Sequence, residues 1–219
     1  MVTFEEIKNN EVIKTYIREA DESLKAIGYT EHSFAHAGIV ANNVGYILKT
    51  LGYSERYVDV AKIAAYLHDI GNLINRIEHS QSGAIMAFRI LSELGMDAEE
   101  IATIITAIGN HDEGTGAPVN SAAAALILAD KSDVRRSRVR ERNIPAFDIH
   151  DRVNYSVASS KLTVDAEKKE VYLCLVIETE YSSVMEYFEI FLDRMLLCRK
   201  AATALGLEFH FKVNGQVLL

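Results

Sequence analysis

Apolar residues recur at helical spacing along most of the first 145 residues. In VIKTYIREADESLKAIG, residues 12–28, they define one face of a helix, and Gly28 suits its C-terminal cap. The same spacing predicts five more helices, the first four of which end on or just before a glycine: 36–52, 54–71, 82–95, 97–111 and 121–142. The pattern therefore predicts a helical bundle.

The pattern changes after Pro145. Runs rich in β-branched and aromatic residues surround the polar segment DAEKK, which is typical of a β-hairpin, and an amphipathic helix and a last strand follow. The four predicted elements are strand, strand, helix and strand, over 152–164, 170–179, 182–206 and 207–213. We therefore predict a helical domain over 1–147 and a ββαβ appendage over 148–219, the latter for dimerisation or closure of a substrate site.

Composition and charge exclude some classes of function. The 219 residues are 49% hydrophobic, enough for a sizeable core, and their formal net charge is −8. An acidic chain has no general attraction to nucleic acid or anionic membrane, so phosphate binding would need a metal or a local basic patch. No apolar run reaches membrane-spanning length, and Cys174 and Cys198 have no metal-ligand spacing. We expect a cytoplasmic protein with reduced thiols.

Five of the seven histidines lie between residues 32 and 111, nearly all at predicted helix ends. Because a bundle can bring several helix ends together, residues distant in sequence can meet in its interior. A lone histidine is more often structural than a ligand. Imidazole and carboxylate together, however, suit Fe, Mn, Co, Ni or Zn, and suit Mg less. His68 and Asp69, which end the apolar run VAKIAAYL, supply both donor types.

The ordered set of histidines and aspartates resembles the metal-binding signature of the HD-domain phosphohydrolase superfamily. The six matching residues are His36, His68, Asp69, His79, His111 and Asp130. The resemblance implies an HD helical bundle holding one or two divalent metal ions per chain. His36, the His68-Asp69 pair and Asp130 would hold the first metal, with His32 as a rival to His36. The two later histidines would hold a second metal, with Asp69 as the bridge.

Two differences from the cyclic-di-GMP phosphodiesterases indicate which branch of the superfamily this chain resembles. The segment HDEGTGAP is similar to the GYP stretch of the cyclic-di-GMP phosphodiesterases, but it lacks the tyrosine and has Asp112 in place of a second histidine. The interval between Asp69 and His79 is also shorter than in that branch, and looks more like the branch that hydrolyses dinucleoside polyphosphates. Both differences argue against cyclic di-GMP, and the shorter interval favours a nucleotide substrate.

A basic run, KSDVRRSRVRERN, follows the last ligand. On the predicted helix one stripe would contain Lys131, Arg135, Arg138 and Arg142. We expect Lys131 and Arg135 to reach a metal-bound phosphate, so the predicted catalytic residues are these two and Asp69. The alternative is a solvated helix face, which is the usual role of a charge run. Asp133 and Glu113 are possible partners of the ligating histidines.

The sequence thus predicts a metal-dependent phosphohydrolase that cleaves an ester or anhydride bond of a nucleotide or other small phosphate compound. A metal- or nucleotide-binding regulator without significant turnover is the alternative. A small phosphorylated partner is expected, without general nucleic-acid or membrane binding, and a homodimer is possible.

Overall fold

The computed structural model describes residues 1–141 and 148–218. Within these ranges the helices are α1 (Phe4–Asn9), α2 (Glu11–Ala26), α3 (Phe34–Thr50), α4 (Glu55–Leu67), α5 (His79–Glu93), α6 (Ala98–Gly109), α7 (Ser121–Lys131), α8 (Ile149–Ser156) and α9 (Val184–Ala204). The strands are β1 (Val157–Asp165), β2 (Glu170–Ile177), β3 (Glu208–Val213) and β4 (Gln216–Val217). The predicted fold class, a helical bundle with a small α+β appendage, is confirmed. The predicted boundary at residue 147 lies outside the described residues.

Local sequence signals account for most helix ends. Ser54 and Asp97 cap α4 and α6, since their side chains accept hydrogen bonds from backbone N–H groups of the first turn. Gly28, Gly52 and Gly95 follow three other helices with positive φ, the left-handed conformation that lets a glycine end a helix.

Helix α7 is the centre of the bundle. Residues 122–129 are buried along their whole length, and α7 packs against α3, α4, α6 and α9. Its alanines allow these neighbours to approach closely, so that the helix ends meet around its C-terminus. A single cluster of buried apolar residues runs through both the bundle and the appendage. No helix in the described part of the chain is long and apolar enough to cross a membrane.

The predicted helix over 121–142 is too long. Helix α7 ends at Lys131, where the Ser132 hydroxyl donates a hydrogen bond to the Ala129 carbonyl. The chain then runs as a loop with a single 3₁₀ turn, Arg136–Arg138. The predicted basic stripe is therefore wrong over the described residues, because it required a continuous helix. Arg142, its last member, lies outside them.

The appendage has the predicted elements with two differences. Its first strand begins at Val157 and not at 152, because Asp148 caps the additional helix α8 through the Asp151 N–H. The sheet order is β1-β2-β3-β4, with β1 and β2 antiparallel and β2 and β3 parallel, joined by α9. The short β4 follows an Asn214-Gly215 turn, in which both residues have positive φ, as a tight hairpin requires.

Candidate metal centre

The six predicted ligands converge from five helix ends. His36 lies in the first turn of α3, His68 caps the C-terminus of α4, and Asp69 follows it. His79 begins α5, whereas His111 follows the Asn110 C-cap of α6. The sixth residue, Asp130, is in the last turn of α7. All four histidines are at least 98% buried, which is unusual for so many imidazoles at one place.

Four of these residues form a first group of ligand atoms. His36 Nε2 lies 3.5 Å from Asp69 Oδ2 and 3.3 Å from Asp130 Oδ1. His68 Nε2 lies 3.0 and 3.7 Å from the same two oxygens. A cation with bonds of about 2.1 Å holds neighbouring ligand atoms about 3.0 to 3.4 Å apart, so the group has the spacing of a coordination shell.

A second group shares Asp69. His79 Nε2 lies 3.5 Å from Asp69 Oδ1, and His111 Nε2 lies 4.0 Å from that oxygen. The two imidazole Nε2 atoms are 3.2 Å apart. Because the two oxygens of Asp69 face different groups, this carboxylate has the position of a bridge between two cations.

Each imidazole is oriented by its other nitrogen. Nδ1 of His68, His79 and His111 lies 2.8, 3.1 and 2.6 Å from a backbone carbonyl, and Nδ1 of His36 lies 2.8 Å from Asp133 Oδ2. These acceptors hold the proton on Nδ1 and leave the Nε2 lone pair for a ligand, as is usual for metal-binding histidines. The Nε2 lone pairs of His79 and His111 then face each other, which requires a cation or a proton between them.

Three buried polar atoms of the first group have no hydrogen-bond partner. His36 Nε2, His68 Nε2 and Asp69 Oδ2 are buried and have no hydrogen-bond partner among the described residues. An unsatisfied buried polar atom costs about 1–3 kcal/mol, so three at one point need an explanation. A divalent cation supplies one, because it satisfies all three atoms together. The residues present therefore fit a metal centre.

The pKa values show how strongly this point attracts positive charge. Burial alone would lower the pKa of His68, but the carboxylates of Asp69 and Asp130 outweigh it and raise that pKa to about 10. Burial would raise the pKa of Asp69, yet the charge of His68 holds it well below its usual range. In the second group, burial and the neighbouring charge of His68 lower the pKa of His111 to about 3. The His111 imidazole is therefore neutral.

The structure separates His36 from its rival His32. The ring of His32 packs edge-on against His36 with centroids 5.6 Å apart, and its Nδ1 lies 2.7 Å from the Thr30 carbonyl. His32 lines a cavity beside the cluster, which is described below. His36 instead reaches both carboxylates of the first group.

A close backbone approach brings Asp69 and His79 together. Between α4 and α5 the chain forms a 3₁₀ turn, Ile70–Leu73, which packs against the start of α5. A Cβ on Gly71 would lie 1.9 Å from the His79 carbonyl oxygen and 2.5 Å from the Gly83 nitrogen. Only glycine permits this contact, so Gly71 helps to position the two ligands.

A cavity of about 520 Å³ adjoins the cluster, with Asp69, His79 and Asp130 in its wall. Helix α9 of the appendage contributes Phe191 and Arg194 to the lining. The volume is that of a small-molecule site, and the appendage forms part of the enclosure.

The two predicted phosphate contacts have different surroundings. Lys131 borders the cavity, and its ammonium group lies 2.7 Å from Asp130 Oδ2 and 3.1 Å from Glu113 Oε2. Arg135 does not border the cavity. Its guanidinium group donates to Asp133 and Glu31, at 2.7 and 2.9 Å. The structure therefore places Arg135 behind His36, where it holds Asp133.

Three cavity arginines were not identified from the sequence: Arg76, Arg138 and Arg194. Arg76 is the only basic residue between Asp69 and His79, a signal that the sequence contained. Arg138 was assigned to the wrong helical stripe, and Arg194 lies in a segment whose pattern indicates only a core-facing helix. The last two positions depend on tertiary structure.

Comparison with known proteins bears on the family of the chain. The family model of the HD domain matches residues 33–149, more than half of the chain. The chain therefore belongs to the HD-domain family, a superfamily of metal-dependent phosphohydrolases. It is also similar to the uncharacterized protein MJ1020 of Methanocaldococcus jannaschii, with 26% identity over 204 residues that cover 81% of this chain and 76% of that protein.

Proposed function

We propose that this protein hydrolyses a phosphate ester or anhydride bond of a small phosphorylated compound, with nucleotides as the first candidates. The observation that supports this most directly is Asp69, whose two oxygens face two separate groups of imidazoles. Such a shared carboxylate suits two neighbouring cations, the arrangement used in many enzymes of phosphate-ester hydrolysis.

The residues that would hold the cations follow from the two groups. The first would be held by His36, His68, Asp69 and Asp130, and the second by Asp69, His79 and His111. When bound, divalent cations lower the pKa of a coordinated water and neutralise charge on phosphate oxygens. Imidazole-rich groups suit Fe, Mn, Co, Ni or Zn better than Mg.

The surrounding residues keep the ligands ready. Asn72 donates to Asp69 Oδ1 at 3.1 Å, and Lys131 donates to Asp130 Oδ2 at 2.7 Å. These donors fix the orientation of the two carboxylates. The charge of Lys131 also helps to hold the pKa of Asp130 well below its usual range, against the effect of burial, so that the carboxylate remains ionised.

The cavity supports a small substrate. Its volume of about 520 Å³ suits one nucleotide-sized molecule, and its cationic side chains lie beside the cluster. With a net charge of −8, the chain has no general attraction for a nucleic-acid polymer. These properties favour a free phosphorylated compound.

The test combines metal analysis with a substrate panel. Protein purified without chelator should contain one or two metal ions per chain and release phosphate or nucleotide from nucleoside mono-, di- and triphosphates or dinucleoside polyphosphates. Asp69→Ala should abolish turnover with the fold retained, whereas Asp165→Ala, at the end of β1, should leave it unchanged. Unchanged turnover in Asp69→Ala would rule out the proposal. Metal and nucleotide binding without turnover would instead indicate a regulator.

A further inference from the structure

Arg138 is a buried cation in the cavity wall. Only 7% of the residue is exposed. Its Nε donates to the Glu31 carbonyl at 2.8 Å and its Nη1 donates to the Asp133 carbonyl at 2.6 Å. Two backbone acceptors therefore fix the guanidinium plane. Its Nη2 has no acceptor among residues 1–141 and 148–218, although the side chain borders the cavity.

The charge balance around Arg138 depends on the metal centre. Apart from Glu31, the negative charges that act on it are those of Asp133, Asp130 and Asp69. Asp133 is already engaged by His36 and by Arg135. When Asp69 and Asp130 hold cations, their charge is largely compensated by those cations. Glu31 and Asp133 then remain to balance the charges of Arg135 and Arg138. The Nη2 donors of Arg138 are left for an anion in the cavity.

Arg138 has one distant carboxylate partner, since its Nη1 lies 4.0 Å from Asp133 Oδ2, whereas Arg76 has none among the described residues. Nη1 of Arg76 lies 3.3 Å from Asn72 Oδ1 and 3.5 Å from His79 Nε2, and the guanidinium lies over the Tyr29 ring at 5.4 Å. No carboxylate of the described chain lies within 4.0 Å of it. Arg76 adjoins the second group of ligands, whereas Arg138 adjoins the first.

The other basic residues near the cluster are already paired. Lys131 contacts both Asp130 and Glu113, and Arg194 donates to Glu113 at 2.8 Å. The guanidinium of Arg135 is shared between Glu31 and Asp133. Binding an anion through these side chains would require breaking an ion pair, whereas Arg76 and Arg138 each have free donor capacity.

We propose that Arg138 and Arg76 form the oxyanion subsite that holds the non-bridging oxygens of the substrate phosphate. The inference rests on the proposed function and assigns the phosphate contact to these two arginines in place of Lys131 and Arg135. A guanidinium held in plane by backbone carbonyls presents its remaining N–H groups in a fixed direction, which suits a tetrahedral anion.

Inorganic phosphate is the probe. Its affinity for protein purified without chelator is measured by calorimetric titration, with the metal content of each variant determined in parallel. Arg138→Gln should weaken phosphate binding about tenfold or more, because a charge-assisted hydrogen bond and a cation are lost. Arg76→Gln should weaken it several-fold. Arg136→Gln, in the same 3₁₀ turn but outside the cavity and paired with Glu178, is the matched control and should bind as the parent protein does.

The outcomes separate this inference from the proposed function. Equal phosphate affinity in Arg138→Gln and the parent, at equal metal content, would overturn the inference while hydrolysis could still occur. Phosphate binding that depends on Arg138 without hydrolysis of any ester would support the subsite and contradict the proposed function. If Arg138→Gln does not fold, Arg138→Lys replaces it. Lysine lacks the planar fork that the two carbonyls hold in one orientation, so unchanged affinity in that variant would overturn the inference.

Discussion

Two buried regions of the molecule contain very different side chains. In the appendage, the Tyr187 ring stacks on Phe211 with centroids 5.7 Å apart and meets Phe191 edge-on at 5.0 Å. At the helix ends of the bundle, the buried groups are imidazoles and carboxylates, three of whose atoms lack partners within the described chain. Removing apolar area from water stabilises the first region, whereas burial of the second costs free energy until a cation binds.

This difference teaches where stability and function reside. The aromatic core should determine whether the chain folds, although the buried Tyr187 hydroxyl has no hydrogen-bond partner among the described residues. The ligand cluster should determine whether the chain binds metal, and its contribution to stability should depend on what it binds. Variants that affect one property without the other can test the distinction.

The largest expected effect on stability is in the aromatic core. Phe211 is fully buried, so Phe211→Ala should reduce the free energy of unfolding by about 4 kcal/mol through lost contacts and a cavity. Metal content of the folded fraction should not change. Denaturant unfolding and elemental analysis check this. Phe88→Ala, on a half-exposed residue of α5, should cost far less. Loss of metal in folded Phe211→Ala would contradict the separation.

Gly71→Ala should affect both properties, because it alters the backbone between the two ligand groups. The new Cβ would meet the His79 carbonyl at 1.9 Å, so the turn and α5 must move apart. We expect a loss of about 3 kcal/mol in stability and release of metal from the second group. Gly38→Ala is the control, since its Cβ would have no neighbour within 4 Å and alanine favours a helix. Full metal content in Gly71→Ala would show that the contact does not position His79.

Asp133→Asn should weaken metal binding and also lower stability, because the buried carboxylate pairs with Arg135 at 2.7 Å. The Asp133 carboxylate accepts a hydrogen bond from Nδ1 of His36. Burial alone would raise the pKa of Asp133, but this hydrogen bond and the one from Arg135 outweigh burial and lower that pKa to about 2. Removing its charge should reduce metal affinity about 10- to 100-fold, as for other partners of ligating histidines. Competition with a chelating dye measures the affinity, and Asp165→Asn is the control. Equal affinities in the two variants would contradict the role given to Asp133.

The smallest effect concerns acid stability of the appendage. The hydrogen bond from Arg152, together with those from Ser183 and Ser182, lowers the pKa of Glu186 to about 2. Because this folded-state pKa lies below the unfolded value of about 4.3, the stabilisation is present above that value and is lost as the pH falls towards 2. Glu186→Gln should therefore reduce the pH dependence of stability in this window, slightly but measurably by thermal unfolding. Glu189→Gln, on the same helix, should not. Identical pH profiles for the parent and Glu186→Gln would contradict this assignment.

Much of the fold could be predicted because the relevant signals are local. Apolar spacing, capping residues and the glycines at helix ends located the bundle helices, and the hairpin and α9 followed from their own composition. The errors also have local causes. Ser132 ends α7 although the following residues favour a helix, and Asp148 starts α8 in a segment rich in β-branched and aromatic residues.

The amino-acid sequence by itself determined the family, the helical class and the six residues that meet at the cluster. These depend on residue type, order and short-range spacing. Only the tertiary structure decided which cations face the cavity, that Arg135 holds Asp133, and that α9 encloses the site. Those facts depend on contacts between residues such as Arg138 and Glu31, which are 107 positions apart. Local spacing contains no information about such contacts, because the packing of separate elements creates them.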